Sequence, residues 1–262
     1  MADTGNSAAR MTVFPPLADT EVVAALDALA RRHRGASGLG MQVLSMVGGS
    51  AETLLDKLPA PVKSRLDDAT EAALRAALGA ANRSRDMVTD KADWLNTALA
   101  TAMGAAGGFA GLPGAMAELP VTVTVLLRAI QGIAAEHGFD PADEAVQMEC
   151  ITVFASAGPM KLDDGAETGF LAARMTVTGQ SLNALISKVA PRLSAVLGQK
   201  LAAQAAPVLG AVAGAAINYA FTGYYQEMAR VHFGLKRLAR DNGLDEGNLR
   251  EELRARITVK KK

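Results

Sequence analysis

Disulfide chemistry is missing from this chain. It holds one cysteine, Cys150, so no intrachain disulfide can form and a reducing compartment suits it. Aromatic residues are scarce at 4%, which leaves aliphatic side chains and alanine to build the core. Neither sign of charge is in excess, with 27 Lys plus Arg against 27 Asp plus Glu, and that excludes the global positive field of a nucleic-acid-binding protein. The opening MADTGNSAARMTVFPPL lacks the apolar run after a basic start that marks a secretory signal. His33, His137 and His232 are widely separated and show none of the spacings of a zinc site. There is no P-loop, no Gly-x-Gly-x-x-Gly and no Gly-x-Ser-x-Gly elbow, and Asp163-Asp164-Gly165 lacks the remaining ligands of a calcium loop. No cofactor, metal or nucleic acid is therefore expected, and the cytoplasm is the expected compartment.

What the chain does hold is alanine, in a sequence that is 50% hydrophobic and long enough, at 262 residues, to bury a sizeable core. Ala has the best helix propensity and lets helix axes approach closely. No credible strand is found. The reading is all-α, a single compact domain of about nine helices with central Ala/Gly-rich buried helices. A mobile tail is expected over 1–16, the helical domain over 17–258 and a basic tail over 259–262.

Periodicity and punctuation divide that domain. An amphipathic helix is predicted over 19–34, with Val22, Val23, Leu26 and Leu29 on one face, and a second over 38–57. Pro59 and Pro61 open a longer one, and Lys91–Gly111 forms another. After a Gly111-Leu-Pro-Gly turn comes a helix over 115–137, closed by Gly138. Asp140-Pro141 caps the next, which runs to about Ala157. Helices over 166–188, 191–205, 207–240 (broken near Gly223) and 246–257 complete the set.

Two segments carry no charge, Trp94–Ala117 and Leu201–Gln226. Both exceed the ~20 residues that cross a bilayer. They are rich in Ala and Gly and poor in the Leu, Ile, Phe and Val that drive insertion. Burial in a globular core and contact with a membrane both remain open. The pairs Gly104/Gly108, Gly107/Gly111 and Gly210/Gly214 mark helix faces where another backbone can come close.

Glu118, Thr122, Arg128, Glu149, Cys150 and Asn218 form the candidate polar cluster, because all stand inside strongly apolar sequence. An unpaired charge cannot be buried there cheaply. Glu118 is placed in the first turn of its helix, where a carboxylate suits the dipole, and Thr122 lies four residues on. Thr124, Arg128 and Gln131 make a polar stripe. Arg128 and Glu149 lie at similar heights about the intervening turn and are expected to form an ion pair across antiparallel helices. Cys150 is expected as a small buried hydrophobe. Asn218 either bonds a neighbouring helix or lines a cavity with Tyr219, Tyr224 and Tyr225.

The order Gly111-Leu112-Pro113-Gly114, Glu118-Leu119-Pro120, a Thr/Val-rich run, Arg128-Ala-Ile-x-x-Ile-Ala and Glu149-Cys150 resembles the EcsC family. Gly210-Ala-Val-Ala-Gly214, Ile217-Asn218, Ala229, Phe233 and Arg237-Leu238 continue the likeness, which spans roughly 50–242. The resemblance implies a bacterial, helical protein linked by name to an ABC transporter. It implies no catalytic role for Leu112, Pro113, Glu118, Leu119, Pro120, Arg128, Glu149, Cys150 or Asn218.

Three functions follow as expectations. The first is a non-enzymatic cytoplasmic protein, peripheral at the inner membrane, whose partner is membrane lipid or a transporter-type membrane complex. Its basic end would help: from Glu227 onward ten Lys/Arg face six Asp/Glu, with Arg250, Arg254 and Arg256 on the last helix and Lys260–Lys262 beyond. The second is a carrier of a lipid or other apolar small-molecule ligand between helices. The third is a hydrolase using Glu118, Glu149 and Cys150, which needs a carboxyl or thiol with a strongly shifted pKa beside a pocket.

Overall fold

The computed structural model describes residues 20–47, 55–56, 58–85, 111–155, 181–204 and 210–258. These form seven α-helices, and no strand occurs among the described residues: α1 (Thr20–Val47), α2 (Ala60–Arg85), α3 (Gly111–Glu136), α4 (Glu144–Phe154), α5 (Leu182–Gln204), α6 (Gly210–Asn242) and α7 (Glu246–Thr258). The expected tails over 1–16 and 259–262, the expected helix Lys91–Gly111 except its last residue, and the Gly104/Gly108 pair lie outside the described residues.

Several boundaries differ from expectation for identifiable reasons. The two helices predicted over 19–34 and 38–57 begin as one, α1, which runs through Gly35 and Gly38 to Val47. The predicted break between 188 and 191 is absent, and Pro191 sits inside α5. Bonds from α5 to α2 hold the helix on both sides of that proline. Glu71 accepts from Ser187 Oγ at 3.0 Å, and Asp67 accepts from Ser194 Oγ. Gly111-Leu-Pro-Gly is the first turn of α3 rather than a turn before it, so Glu118 lies about two turns in. Pro120 is then interior to the helix, and Thr124 Oγ1 donates to its carbonyl at 2.8 Å. The cap of α4 is Asp143, which accepts from Ala145 N, while Asp140 accepts from Ala142 N in the preceding turn. Gly223 does not break α6.

Gly138 closes α3 as expected. Its φ of +79° is open to glycine, and Phe139 N and Gly138 N return to Ala134 O and Ala135 O at 3.0 and 2.9 Å. Gly243, at φ +62°, ends α6 by the same device, with Leu244 N on Ala239 O at 2.9 Å.

α3 is the core helix. Val123, Leu127, Ile130, Gln131, Ile133 and Ala134 are fully enclosed, and α3 touches α2, α4, α5 and α6. Its segment Leu119–Glu136 is long and apolar enough to cross a membrane, yet 67% of it is buried inside the protein, as in the core helix of a globular bundle. The charge-free stretch 201–226 is divided between the end of α5 and the start of α6.

Directions follow from contacts. The chain reverses over 137–143, so α4 returns along α3. α4 also runs antiparallel to α6, because Glu149 meets His232 and Lys236 while Phe154 meets Tyr225. α3 and α6 are therefore parallel. α1 lies antiparallel to α6, with Leu29 against Gly234 and Arg32 against Glu227. α7 folds back beside α1 and α6, and Arg256 reaches Asp27 at 3.0 Å.

Two helical glycines give opposite expectations. A Cβ on Gly198 would stand 2.8 Å from the Cδ2 atoms of both Leu55 and Leu66, whereas one on Gly35 would meet nothing within 4 Å. Gly35→Ala should stabilise by up to ~1 kcal/mol through helix propensity, and Gly198→Ala should destabilise by roughly 1–3 kcal/mol through overpacking. Urea-unfolding midpoints of the two variants against the parent check the difference in sign.

Candidate functional site

One face of α6 carries Asn218, Thr222, Tyr225, Ala229, His232 and Lys236 at spacings of four and three, which align on a 3.6-residue helix. From Tyr225 onward this face is turned to α4. The Tyr225 ring meets Phe154 edge-on at 5.0 Å between centroids. Glu149 places its carboxylate between two α6 side chains: Lys236 Nζ donates at 2.5 Å, and His232 Nε2 lies 3.1 Å away. Lys236 also reaches Glu246 at 3.6 Å, and Arg250 holds that same Glu246. A chain of opposite charges thereby ties α4, α6 and α7.

Burial alone would raise the Glu149 carboxyl. The His232 bond and charge and the Lys236 ammonium outweigh it and hold the group below the usual carboxylate range. Glu149 is thus an ionised structural anion, the opposite of a proton-donating acid. Tyr225 goes the other way: burial pushes its phenol well above the ordinary value, with Tyr224 adding and Arg192 opposing. Its hydroxyl and that of Thr222 are buried with no hydrogen-bond partner among the described residues.

The residues singled out in the sequence are only partly brought together. The expected Arg128–Glu149 pair does not form, since the Glu149 bonds go to α6. Arg128 lies with Val121, Thr124 and Ala135 on a partly open stripe of α3. Cys150, next to Glu149 in sequence, turns into the core and is fully buried. Thr122 is buried and accepts from Lys200 Nζ of α5 at 3.4 Å. Asn218 is buried on the α6 stripe; of the tyrosines near it, Tyr224 and Tyr225 are buried and Tyr219 is 55% exposed. The Glu118 side chain lies outside the described residues. Sequence reasoning missed His232, Lys236 and Lys200. The first two were legible as an i,i+4 basic pair, and Lys200 as the one cation inside a long apolar stretch.

A second feature emerges only in three dimensions. The last charge on α1 is Arg34, and from Gly35 to Val47 the helix has none. α6 has none from Gly210 to Gln226. Because α1 is antiparallel to α6, these two uncharged halves point the same way. α3 is parallel to α6 and joins them with its first turns, which carry one charged residue, Glu118. His137 neighbours Gly234, so Val121 and Tyr219 lie about 24 and 22 Å towards this end, at ~1.5 Å per residue. They are the two exposed large hydrophobics among the described residues, at 46% and 55%. Lys200 is here but buried, and α2 forms the charged flank with Lys63, Arg65, Asp67 and Asp68.

Just above that end stand Arg31, Arg32 and Arg34, all exposed. Between them His33 turns inward, 2% exposed, and burial together with the Arg34 charge lowers it to about 4. Glu227 accepts from both Arg32 (2.9 Å) and Arg230 (2.8 Å).

The chain matches the EcsC protein family over residues 26–238, and it belongs to that family. No curated protein and no solved structure matches it.

Two outcomes follow. Glu149→Gln and Lys236→Met should each destabilise by roughly 1–3 kcal/mol, and the double variant should cost less than their sum, because both single changes remove the same Glu149–Lys236 bond; chemical denaturation of the cycle measures the coupling. His33 binds protons in the unfolded chain near its ordinary 6.5 and in the folded chain only near 4. Its contribution is therefore fully present above pH ~6.5 and is lost as pH falls towards 4, on the order of 3 kcal/mol in total. His33→Gln should flatten that part of the stability–pH curve.

Proposed function

We propose that this protein is a non-enzymatic, membrane-associated helical protein that rests one end of its bundle on a lipid surface, alone or beside a membrane complex. The observation that carries this reading is the gathering of the uncharged halves of α1 and α6 and the first turns of α3 at one end, with Tyr219 and Val121 exposed there. Tyrosines suit the headgroup layer because the ring is apolar and the hydroxyl is not, and a surface of this kind lies in the interface without spanning it. The ion-paired Glu149 and the enclosed Cys150 lend the hydrolase alternative no support, since a nucleophile or acid needs access and a suitably shifted pKa.

A carrier function remains the second reading, favoured by the unpartnered hydroxyls of Thr222 and Tyr225. A buried hydroxyl without a partner costs about 1–3 kcal/mol, and a ligand's polar atom would relieve that cost. Bound lipid co-purifying with the protein, and lost on Tyr225→Phe, would favour this reading over simple surface association.

Flotation with phospholipid vesicles tests the main reading. The full chain should float with vesicles, and Tyr219→Asp should weaken binding by about tenfold or more while leaving the helical content unchanged, because a carboxylate must be desolvated on entering the interface. Absence of flotation with every vesicle composition would remove it.

A further inference from the structure

We propose that Arg31, Arg32 and Arg34 of α1 are the headgroup-binding site of that membrane contact and take the phosphates of anionic phospholipids. The inference rests on the membrane reading and adds the chemistry of the surface recognised.

The sequence places the basic surplus on the C-terminal helix, but the structure moves it. On α7, Arg250 is held by Glu246, and Arg256 is held by Asp27 at 3.0 Å and Glu252 at 2.5 Å. Those two charges are compensated within the protein, while Arg254, half-buried, has no ion pair among the described residues. On α1 the compensation is only partial. Arg31 is exposed and makes no hydrogen bond or ion pair among the described residues. Arg34 donates Nη1 to the carbonyl oxygen of Arg256 at 2.9 Å, which positions the guanidinium without neutralising it. Arg32 has Glu227, but that carboxylate also serves Arg230. The crowding is felt: burial, with the Arg32 charge adding to it, lowers Arg230 from its ordinary value.

Position completes the argument. Asp27, Arg31 and Arg34 share one stripe of α1 at i, i+4 and i+7, and the inward His33 keeps its three arginine neighbours displayed. The next residues along the helix are Gly35 and, one turn on, Gly38, where an added Cβ would meet nothing within 4 Å. Open, uncharged helix surface therefore begins where the guanidiniums end. A bilayer presents the same order, phosphate above and glycerol and acyl chain below. Guanidinium forks match phosphate oxygens in geometry as well as charge, and each basic residue near an anionic leaflet strengthens association by roughly fivefold.

The test is co-sedimentation of the full chain with phosphatidylcholine vesicles, with and without phosphatidylglycerol, at ~0.1 M and ~1 M salt, where the screening length falls from ~10 to ~3 Å. Free inorganic phosphate is added as competitor to separate a lipid surface from a simple anion site. The expected result is tighter binding to the anionic vesicles, lost at high salt and little affected by millimolar phosphate. Arg31→Gln/Arg34→Gln should weaken it by about twentyfold, and Arg31→Gln alone, which disturbs no bond, by about fivefold. Arg237→Gln removes an exposed charge, paired with Asp241, at the other end of α6 and should change it less than about twofold. An equal loss from Arg237→Gln overturns the site in favour of bulk charge. Competition by phosphate at low concentration overturns it in favour of a soluble anion. Equal binding to both vesicles, still sensitive to Tyr219→Asp, overturns the arginine site alone. No binding to either overturns the membrane reading and the site with it.

Discussion

The parallel packing of α3 on α6 is the constraint from which the rest of this bundle follows. α3 is enclosed on nearly every side, so each neighbouring helix must offer it an apolar face. α6 supplies the longest such face and touches α1, α3, α4, α5 and α7. Once these two run together, the tight turn at Gly138 sends α4 back between them, and the turn at Gly243 sends α7 back along α1. Closely packed interiors do not bend to accommodate a misplaced neighbour. The direction of every short helix is thereby set by the two long ones.

Charge adapts to that frame. Glu149 stands on a helix whose other side chains are mostly buried, and a lone carboxylate there would be costly. The low-lying route to compensation is the helix directly opposite, where His232 and Lys236 sit one turn apart and reach the two carboxylate oxygens separately. Arg128 is at a comparable height but on a partly open stripe of α3, so proximity along the chain did not translate into contact. The same logic explains two of the three α7 arginines, Arg250 and Arg256, which are held by Glu246 and by Asp27 and Glu252.

Helical class and family membership were legible in the residues, because alanine content and 3.6-residue periodicity survive packing and the ordered motifs of the family are local. The count of about nine helices was not reproduced among the described residues, which hold seven. One cause is that Gly35 and Pro191 were read as breaks. Local propensity disfavours both, yet α1 continues along the α6 face and α5 is pinned to α2 on either side of its proline, so tertiary contact prevails. The site was harder to read. Glu149, Thr122 and Asn218 were identified as buried polar residues, but which face of which helix each one meets depends on crossing geometry that spacing does not encode.

On the proposed membrane reading, function at this end is spread below the threshold of any motif. Gly35–Val47 lacks the leucine density of a spanning helix, and the α6 half is interrupted by Ala and Gly. Each alone looks like ordinary packing sequence. Antiparallel pairing of α1 with α6 brings them to one end and sets the three arginines of α1 beside it, while Arg250 and Arg256 of α7 stay in ion pairs. Segregation of this kind costs stability, because like charges gather and apolar side chains such as Tyr219 meet water. A fold selected for stability alone would disperse both. The proposed membrane contact accounts for exposed guanidiniums and an exposed tyrosine at one pole, which the stability of the bundle does not require.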